Sequence, residues 1–323
     1  MKIRNLDLTH NPVNEEHREL GLPPIEGVVS HFGSQPLLHA AVWFTSLVLI
    51  ALTLYMMGRL FLPNSWSGGW ETIVVTLSGS LFWSAVAVGL FAQTVDGALG
   101  MAYGVTSTTF LLAIGASPAT ASASVHIAEV FTTGVSGISH VKFGNVDKQL
   151  FARLLVPGIL GAVLGAVVVT QIDGAAFKPF VSAYLLLMGI YILSKAFRQL
   201  RVHAQTTKHV GKLALFGGFI DAAGGGWGPV VTTTLVGSGH DPRTTIGSVN
   251  FAEFFLTLAG AASFSLLMEI NAWTIIAGLV FGGLFAAPFA ALLCGKLSAR
   301  ALLVLVGTLI STLSLYNLYR ALI

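Results

Sequence analysis

Four acidic residues are conspicuous because each lies in a stretch that is otherwise apolar. The chain of 323 residues has 14 Asp and Glu, and those within apolar stretches are Asp96, Glu129, Asp221 and Glu253. A charge near the centre of a bilayer costs about 2.5–3.5 kcal/mol on insertion scales, so such residues usually serve a function. Two of them adjoin glycines, where capping of a helix end or a role with substrate or protons fits equally well. Glu129 and Glu253 lie inside longer apolar segments, where no cap is needed, and we predict that they couple protons.

The four acidic residues occupy matched positions in a module that occurs twice. Residues 124–129 read Ser-Val-His-Ile-Ala-Glu, and residues 248–253 read Ser-Val-Asn-Phe-Ala-Glu, an offset of 124. Upstream, an offset of 125 matches the glycine-rich turn at 96–100 with the turn at 221–226. The other matched pairs are His126 with Asn250, Gly100 with Gly225, and Thr108 with Thr233. Short glycine-interrupted segments at corresponding positions of two halves are typical of a binding site at the membrane midplane.

The glycine-rich turns have the chemistry of a small-anion site. A helix that begins at such a turn presents free N–H groups at the positive end of its dipole, and the threonines that follow could add hydroxyl donors. Helix–helix hydrogen bonding is the other interpretation of these threonines, and packing is the other interpretation of His126. We therefore predict a substrate site formed by Asp96, Gly97, Gly100, Thr108, His126, Asp221, Gly225, Gly226, Trp227, Thr233 and Asn250.

The charges of this predicted core are compatible with two kinds of substrate. It has four carboxylates and no Lys or Arg, which favours a cation or proton pathway, whereas an anion carrier would need some carboxyls protonated. No metal site is predicted, because His126 is the one histidine in the predicted core and Cys294 is the only cysteine. The absence of an HExxH motif or a nucleophile with a matched base argues against an enzyme, and no cofactor is expected.

The composition indicates that these residues belong to a membrane protein. Apolar residues make up 54% of the chain and charged residues 10%, with a mean hydropathy of +0.79, whereas a soluble domain is about a quarter charged. We predict an all-α polytopic bundle with two inverted-topology repeats and glycine-broken half-helices. Its spans are predicted at 38–62, 72–95, 119–140, 150–171, 179–199, 243–268, 273–295 and 299–321, with shorter segments at 99–115, 211–222 and 227–238.

The basic residues predict the orientation. Lys and Arg concentrate in the connections at 140–153 and 195–212, which we place in the cytoplasm together with the N-terminus. The two modules then have opposite orientations. The isoelectric point near 9.1 reflects these loops, and no nucleic-acid partner is expected. The domains predicted are a polar tail at 1–37, an extra helix at 38–71, repeats at 72–200 and 213–323, and a basic linker at 201–212.

The segment from Leu90 to Gly144 resembles the TauE/SafE family of membrane permeases. The resemblance is carried by Phe91-Ala-Gln-Thr-Val-Asp96-Gly97, by Pro118 through Glu129, and by His140-Val-Lys-Phe-Gly-Asn-Val-Asp147, with Gly217 through Glu253 similar to the second half of the family. It implies transport of a small sulfur-containing anion, such as sulfite, sulfoacetate or another organosulfonate, across the bacterial inner membrane. The expected partners are this substrate and the lipid bilayer, with homo-oligomerisation left open. A cation, proton or metal permease is the alternative.

Overall fold

Every regular element that the computed structural model describes is a helix. The described residues are 36–61, 65–197, 209–238, 240, 242–293 and 299–323. Most of the predicted polar tail at 1–37 and of the linker at 201–212 lies outside them. The α-helices are α1 (Pro36–Phe61), α2 (Ser65–Ser78), α3 (Ser80–Leu99), α4 (Tyr103–Ala113), α5 (Pro118–Lys142), α6 (Lys148–Gln171), α7 (Gly174–Lys195), α8 (Val210–Gly224), α9 (Thr233–Gly237), α10 (Pro242–Leu267), α11 (Trp273–Leu293) and α12 (Ala299–Leu322), with a π-helical turn at Gly228–Thr232.

Several of these helices have the length and composition of membrane spans. Among the described residues, five are long and apolar enough to cross a bilayer, or six if one bent pair forms a single span. The chain is therefore an all-α polytopic membrane protein, as predicted. The five are Pro36–Gly58, Lys148–Gln171, Gly174–Lys195, Arg243–Leu267 and Arg300–Leu322.

The span predicted at 72–95 is two helices in the structure and not one straight helix. The segment at 72–95 was predicted as one helix, but Gly79 separates α2 from α3, and the two are bent by 71°. The backbone of Gly79 is extended, with φ −82° and ψ 131°, which ends the helical hydrogen-bond pattern. The apolar stretch continues across Gly79, because a single glycine is enough to break the helix and hardly changes the mean hydropathy.

The helix boundaries and packing partners recur in the two halves. Helix α3 ends at Leu99 and α8 at Gly224, an offset of 125, and α4 and α9 end at Ala113 and Gly237, an offset of 124. The packing of the helices follows this match. The helix pairs with the most extensive contacts are α3–α11 and α8–α6, α6–α10 and α11–α5, α5–α10, and α7–α12. Exchanging the halves converts α3–α11 into α8–α6 and α6–α10 into α11–α5, and it leaves α5–α10 and α7–α12 unchanged. The opposite orientation of the two halves in the membrane stays a prediction.

Two polar helices lie at the centre of this packing. Helices α5 and α10 contact each other, and each also packs on a long helix of the other half. Both carry fully buried polar side chains among apolar ones, including Ser122, His126 and Glu129 on α5 and Asn250 and Glu253 on α10. In a bilayer, buried polar residues of this kind face the interior of the bundle. Helices α5 and α10 therefore present the candidate site.

Candidate functional site

Both glycine-rich turns interrupt a helix, as the sequence predicts. Helix α3 ends before Gly100, whose φ is +67°, and α8 ends before Gly225, whose φ is +81°. The N–H of Gly100 donates to the carbonyl of Asp96 at 2.5 Å, and the N–H of Gly225 donates to the carbonyl of Asp221 at 2.7 Å. Glycine is required because this left-handed backbone is unfavourable for other residues. Both breaks thus have a glycine with positive φ four residues after the aspartate, while ψ differs, at 34° for Gly100 and 114° for Gly225.

The two helix breaks contact each other directly. A Cβ added to Gly104 would lie 2.7 Å from the Cα of Gly225, and a Cβ on Gly225 would overlap the backbone of Gly104. The hydroxyl of Thr232 donates to the carbonyl of Gly100 at 2.8 Å, and the hydroxyl of Tyr184 donates to the carbonyl of Gly225 at 3.0 Å. Carbonyls freed by the breaks are therefore paired, as backbone at membrane depth requires.

Asp221 binds the backbone that follows its break. The Oδ1 atom of Asp221 accepts hydrogen bonds from the N–H groups of Gly226 at 2.7 Å and Trp227 at 2.9 Å. Of the two roles left open for Asp221, capping is therefore directly visible. The backbone N–H groups after the second break already hold a protein carboxylate, which is where an anion was expected.

The Oδ2 atom of each aspartate faces a side chain from the other half of the chain. Asn250 donates through Nδ2 to Oδ2 of Asp96 at 2.9 Å. At the matched position, Nε2 of His126 lies 3.6 Å from Oδ2 of Asp221. The sequence predicts that Asp96 matches Asp221 and that His126 matches Asn250. The structure shows that each aspartate is contacted by the residue from the other half.

Both glutamates are buried near this crossing. Glu129 is 1% exposed and Glu253 is 4% exposed. Neither carboxyl oxygen of Glu129 has a hydrogen-bond partner within the described part of the chain. A Cβ on Gly104 would lie 3.2 Å from its Oε1, so this side chain points to the helix breaks. The four carboxyls that the sequence placed in apolar stretches are all buried.

Three potential metal ligands converge here. One atom each of His126, Glu129 and Asp221 lies within 4.8 Å of the others, and all three residues are buried. The sequence predicts no metal site, because it has one histidine in the predicted core and a single cysteine. It does not show that Asp221 on α8 reaches α5. His140 is buried as well, so His126 is not the only core histidine.

The other predicted site residues occupy varied environments. Trp227 is fully buried and its indole donates to the carbonyl of Val249 at 3.1 Å, so its ring packs inside the protein. Thr108 is buried, and its hydroxyl has no partner among the described residues. Gly97 and Gly226 are buried beside the two breaks. Thr233 accepts a hydrogen bond from the ammonium of Lys195.

Lys195 corrects the expectation that the core has no basic residue nearby. It lies at the end of α7, its ammonium reaches Thr233, and it lies 5.2 Å from the ring centroid of Tyr191. The same arrangement occurs 125 residues later, where Arg320 lies 6.0 Å from the ring of Tyr316. This repeated aromatic–cation pair appears in the sequence as a spacing of four residues, and it was not among the predicted features.

Comparison with known proteins identifies the family. The sequence model described as "Sulfite exporter TauE/SafE" matches residues 85–317, which include both breaks and all four buried carboxyls. The chain belongs to the TauE/SafE family. It is also similar to "Probable membrane transporter protein YtnM" of Bacillus subtilis (strain 168), with 47% identity over 231 residues, covering 68% of this chain and 77% of that protein. No solved structure matches.

Family membership and fold together define the broad class. This TauE/SafE protein is a multi-pass membrane transporter and not an enzyme. The resemblance noted in the sequence is confirmed. Because the matched region starts at residue 85, helices α1 and α2 and the first residues of α3 lie before it. The helix breaks and the residues around them therefore belong to the part shared with the family.

Proposed function

We propose that this transporter is a secondary carrier that moves a small sulfur-containing anion across the bacterial inner membrane with proton coupling. Sulfite, sulfoacetate and other organosulfonates are the substrate class. The observation that carries the proposal is the direct contact of the two helix breaks, surrounded by four buried carboxyls. The family description, a sulfite exporter, supports the choice of anion.

The arrangement of the breaks supports a carrier that alternates its access. In secondary transporters, discontinuous helices from two repeats form the site near the bilayer midplane, and one repeat moves against the other. Here Gly104 of one half lies against Gly225 of the other, so the contact between the halves passes through the breaks. A relative movement of the halves would change this contact directly.

Protonation of the buried carboxyls explains how an anion can bind close to four acidic side chains. Repulsion between charges is strong where water is excluded, so an anion near Glu129 and Glu253 is favoured when those carboxyls carry protons. Binding of the anion and of protons would then be linked. We assign proton coupling to Glu129 and Glu253, since neither is needed as a helix cap.

The hydroxyl-bearing segments after the breaks supply donors to the anion. The hydroxyl of Thr108 has no partner among the residues that the structure describes, and Thr233 binds the ammonium of Lys195. A lysine ammonium is a compact charge that can attract a sulfonate or sulfite. We propose that Lys195 draws the anion toward Thr233. Asp96 and Asp221 hold the half-helices in place, while Gly97, Gly100, Gly225, Gly226, His126, Trp227 and Asn250 shape the site around the anion.

The membrane orientation is part of the proposal. With the connections at 140–153 and 195–212 in the cytoplasm, the N-terminus is cytoplasmic and the two repeats are inverted. Cysteines introduced at Lys148 and at Asp173, on opposite ends of α6, should differ in labelling by an impermeant maleimide in intact cells. Labelling of Asp173→Cys alone supports this orientation, and labelling of Lys148→Cys alone overturns it.

Transport is tested with the purified protein in liposomes. Radiolabelled sulfoacetate or sulfite should accumulate when an inward proton gradient is imposed, and unlabelled sulfonates should compete while chloride does not. Saturation with substrate would distinguish a carrier from a channel. Absence of flux for every sulfur-containing anion tested would contradict the proposal.

A cation or metal permease is the second candidate function. The convergence of His126, Glu129 and Asp221 favours it. It predicts flux of a cation down its own gradient with no anion required. Liposomes loaded with a metal-sensitive dye and lacking sulfonates would show this flux, whereas the anion carrier should leave the dye signal unchanged.

A further inference from the structure

Two buried acceptor atoms face each other across the interface of the two halves. The Nε2 atom of His126 lies 3.6 Å from Oδ2 of Asp221. Neither atom has a hydrogen-bond partner among the described residues, and both residues are 1% exposed. Unpaired buried polar atoms are rare and require an explanation, such as an ion.

The hydrogen bonds around the pair define which atoms carry protons. The Nδ1 atom of His126 lies 2.9 Å from the carbonyl oxygen of Ser122. A carbonyl can only accept, so Nδ1 carries the hydrogen and Nε2 of the neutral ring presents its lone pair. Asp221 Oδ1 accepts from the N–H groups of Gly226 and Trp227, which suits an ionised carboxylate. Two lone pairs therefore face each other, and a proton or a metal cation must lie between them.

Glu129 adds a third ligand and favours a metal. It lies one helical turn from His126 on α5, and neither of its carboxyl oxygens has a partner in the described part of the chain. All three ligand atoms lie within 4.8 Å of one another. We propose that His126, Glu129 and Asp221 bind one divalent cation of the zinc class between α5 and the end of α8. Glu129 would close on the ion by rotation of its side chain when its carboxyl is ionised, so metal binding and protonation of Glu129 would compete.

The ligand types determine the class of cation. Imidazole suits zinc, cobalt, nickel and iron, while magnesium and calcium prefer oxygen ligands alone. Three protein ligands leave a position open for water or substrate, as in catalytic zinc sites. The bond from Nδ1–H to a backbone carbonyl is the usual second contact of a ligating histidine. The site therefore has both the ligands and the support that zinc-class metals use.

The matched position in the other half has no such site. Asn250 replaces histidine there, and its Nδ2 group already donates to Asp96 at 2.9 Å. An amide donor paired with a carboxylate leaves no need for a cation. The proposal therefore predicts one metal per chain, although the carboxylates occur in both halves. Glu253 becomes a matched control for Glu129.

The bound cation would also address the charge of the core. A divalent ion between the carboxylates would supply positive charge at the helix breaks, where four carboxyls are buried. Its open position could accept an oxygen of the anion, a consequence that rests on the proposed function. Metal binding itself does not depend on which substrate is carried.

The test uses the full chain, purified in detergent and stripped with a chelator. Co²⁺ serves as the probe because its visible absorption reports the ligands, and Zn²⁺ is added as a competitor. We expect one Co²⁺ per chain, displaced by Zn²⁺, with affinity at least tenfold weaker in His126→Asn, Glu129→Gln and Asp221→Asn. Glu253→Gln should bind as the unaltered protein does, and size-exclusion profiles check that each variant folds.

Two results would overturn the proposal. One is absence of Co²⁺ binding, which leaves a proton between His126 and Asp221. The other is equal binding by all variants, which places the ion elsewhere. Sulfoacetate flux in liposomes separates this inference from the proposed function: flux without metal binding contradicts only the metal site, and metal binding without flux contradicts only the anion carrier.

Discussion

Asn250 donates a hydrogen bond of 2.9 Å to Asp96, although the two residues lie in different halves of the chain. The matched residues, His126 and Asp221, also face each other across the halves, at 3.6 Å. Asp221 thus holds its own helix break with Oδ1, and each aspartate faces the opposite half through Oδ2. A movement of one half against the other would alter both contacts.

Gly225→Ala should severely impair the protein. The left-handed backbone of Gly225 costs another residue about 1–2 kcal/mol, and the added Cβ would overlap the backbone of Gly104. We expect a lower thermal unfolding temperature in detergent and loss of transport. Gly237→Ala is the matched control, since its Cβ would meet nothing within 4 Å. Equal stability of the two variants would show that the contact between the breaks is unimportant.

Replacement of Asp221 separates its two roles. Asp221→Asn keeps the Oδ1 acceptor for Gly226 and Trp227 and can donate an amide hydrogen to Nε2 of His126. It should fold normally and lose metal binding. Asp221→Ala leaves two buried N–H groups unpaired, at about 1–3 kcal/mol each, and should unfold at a lower temperature. If both variants unfold alike, the capping role is contradicted.

Glu129→Gln and Glu253→Gln should change the dependence of transport on pH. The amide has nearly the same shape as the carboxyl but cannot gain or lose a proton in the physiological range. Initial rates measured from pH 5 to 9 should therefore vary less with pH in each variant. An unchanged pH profile in both variants would remove these residues from proton coupling.

Lys195→Gln should weaken the interaction with anions. The ammonium of Lys195 reaches Thr233, and its removal takes positive charge from the segment after the second break. We expect KM for sulfoacetate to rise several-fold with a smaller change in the maximal rate. Lys148→Gln, at an exposed position at the start of α6, should leave KM unchanged. A similar KM in both variants would argue against a role for Lys195 in anion binding.

Much of the fold is predictable because helices in a membrane follow simple rules of length and hydropathy. The predicted segments at 150–171 and 243–268 agree closely with α6 and α10. The two glycine-rich turns also break their helices as predicted, because aspartate, glycine and the offset of 125 mark them. The bend at Gly79 was missed, since a single glycine hardly changes the hydropathy of its surroundings.

The candidate site is only partly predictable from the sequence. Repetition identifies Asp96, Glu129, Asp221 and Glu253, and all four are buried. It does not show that His126 approaches Asp221, because contacts between distant segments depend on how the helices pack. Lys195 was missed for the same reason: it lies in a basic segment that resembles an ordinary cytoplasmic loop, yet its ammonium reaches Thr233.

The central claim is that anion movement and proton movement are coupled through the buried carboxyls. Sulfoacetate is the best probe, because its sulfonate stays charged and it does not cross protein-free liposomes readily. The measurement is the internal pH of dye-loaded proteoliposomes after sulfoacetate is added outside. The account predicts acidification of the interior that is lost in Glu129→Gln. Entry of sulfoacetate with no change in internal pH would contradict it.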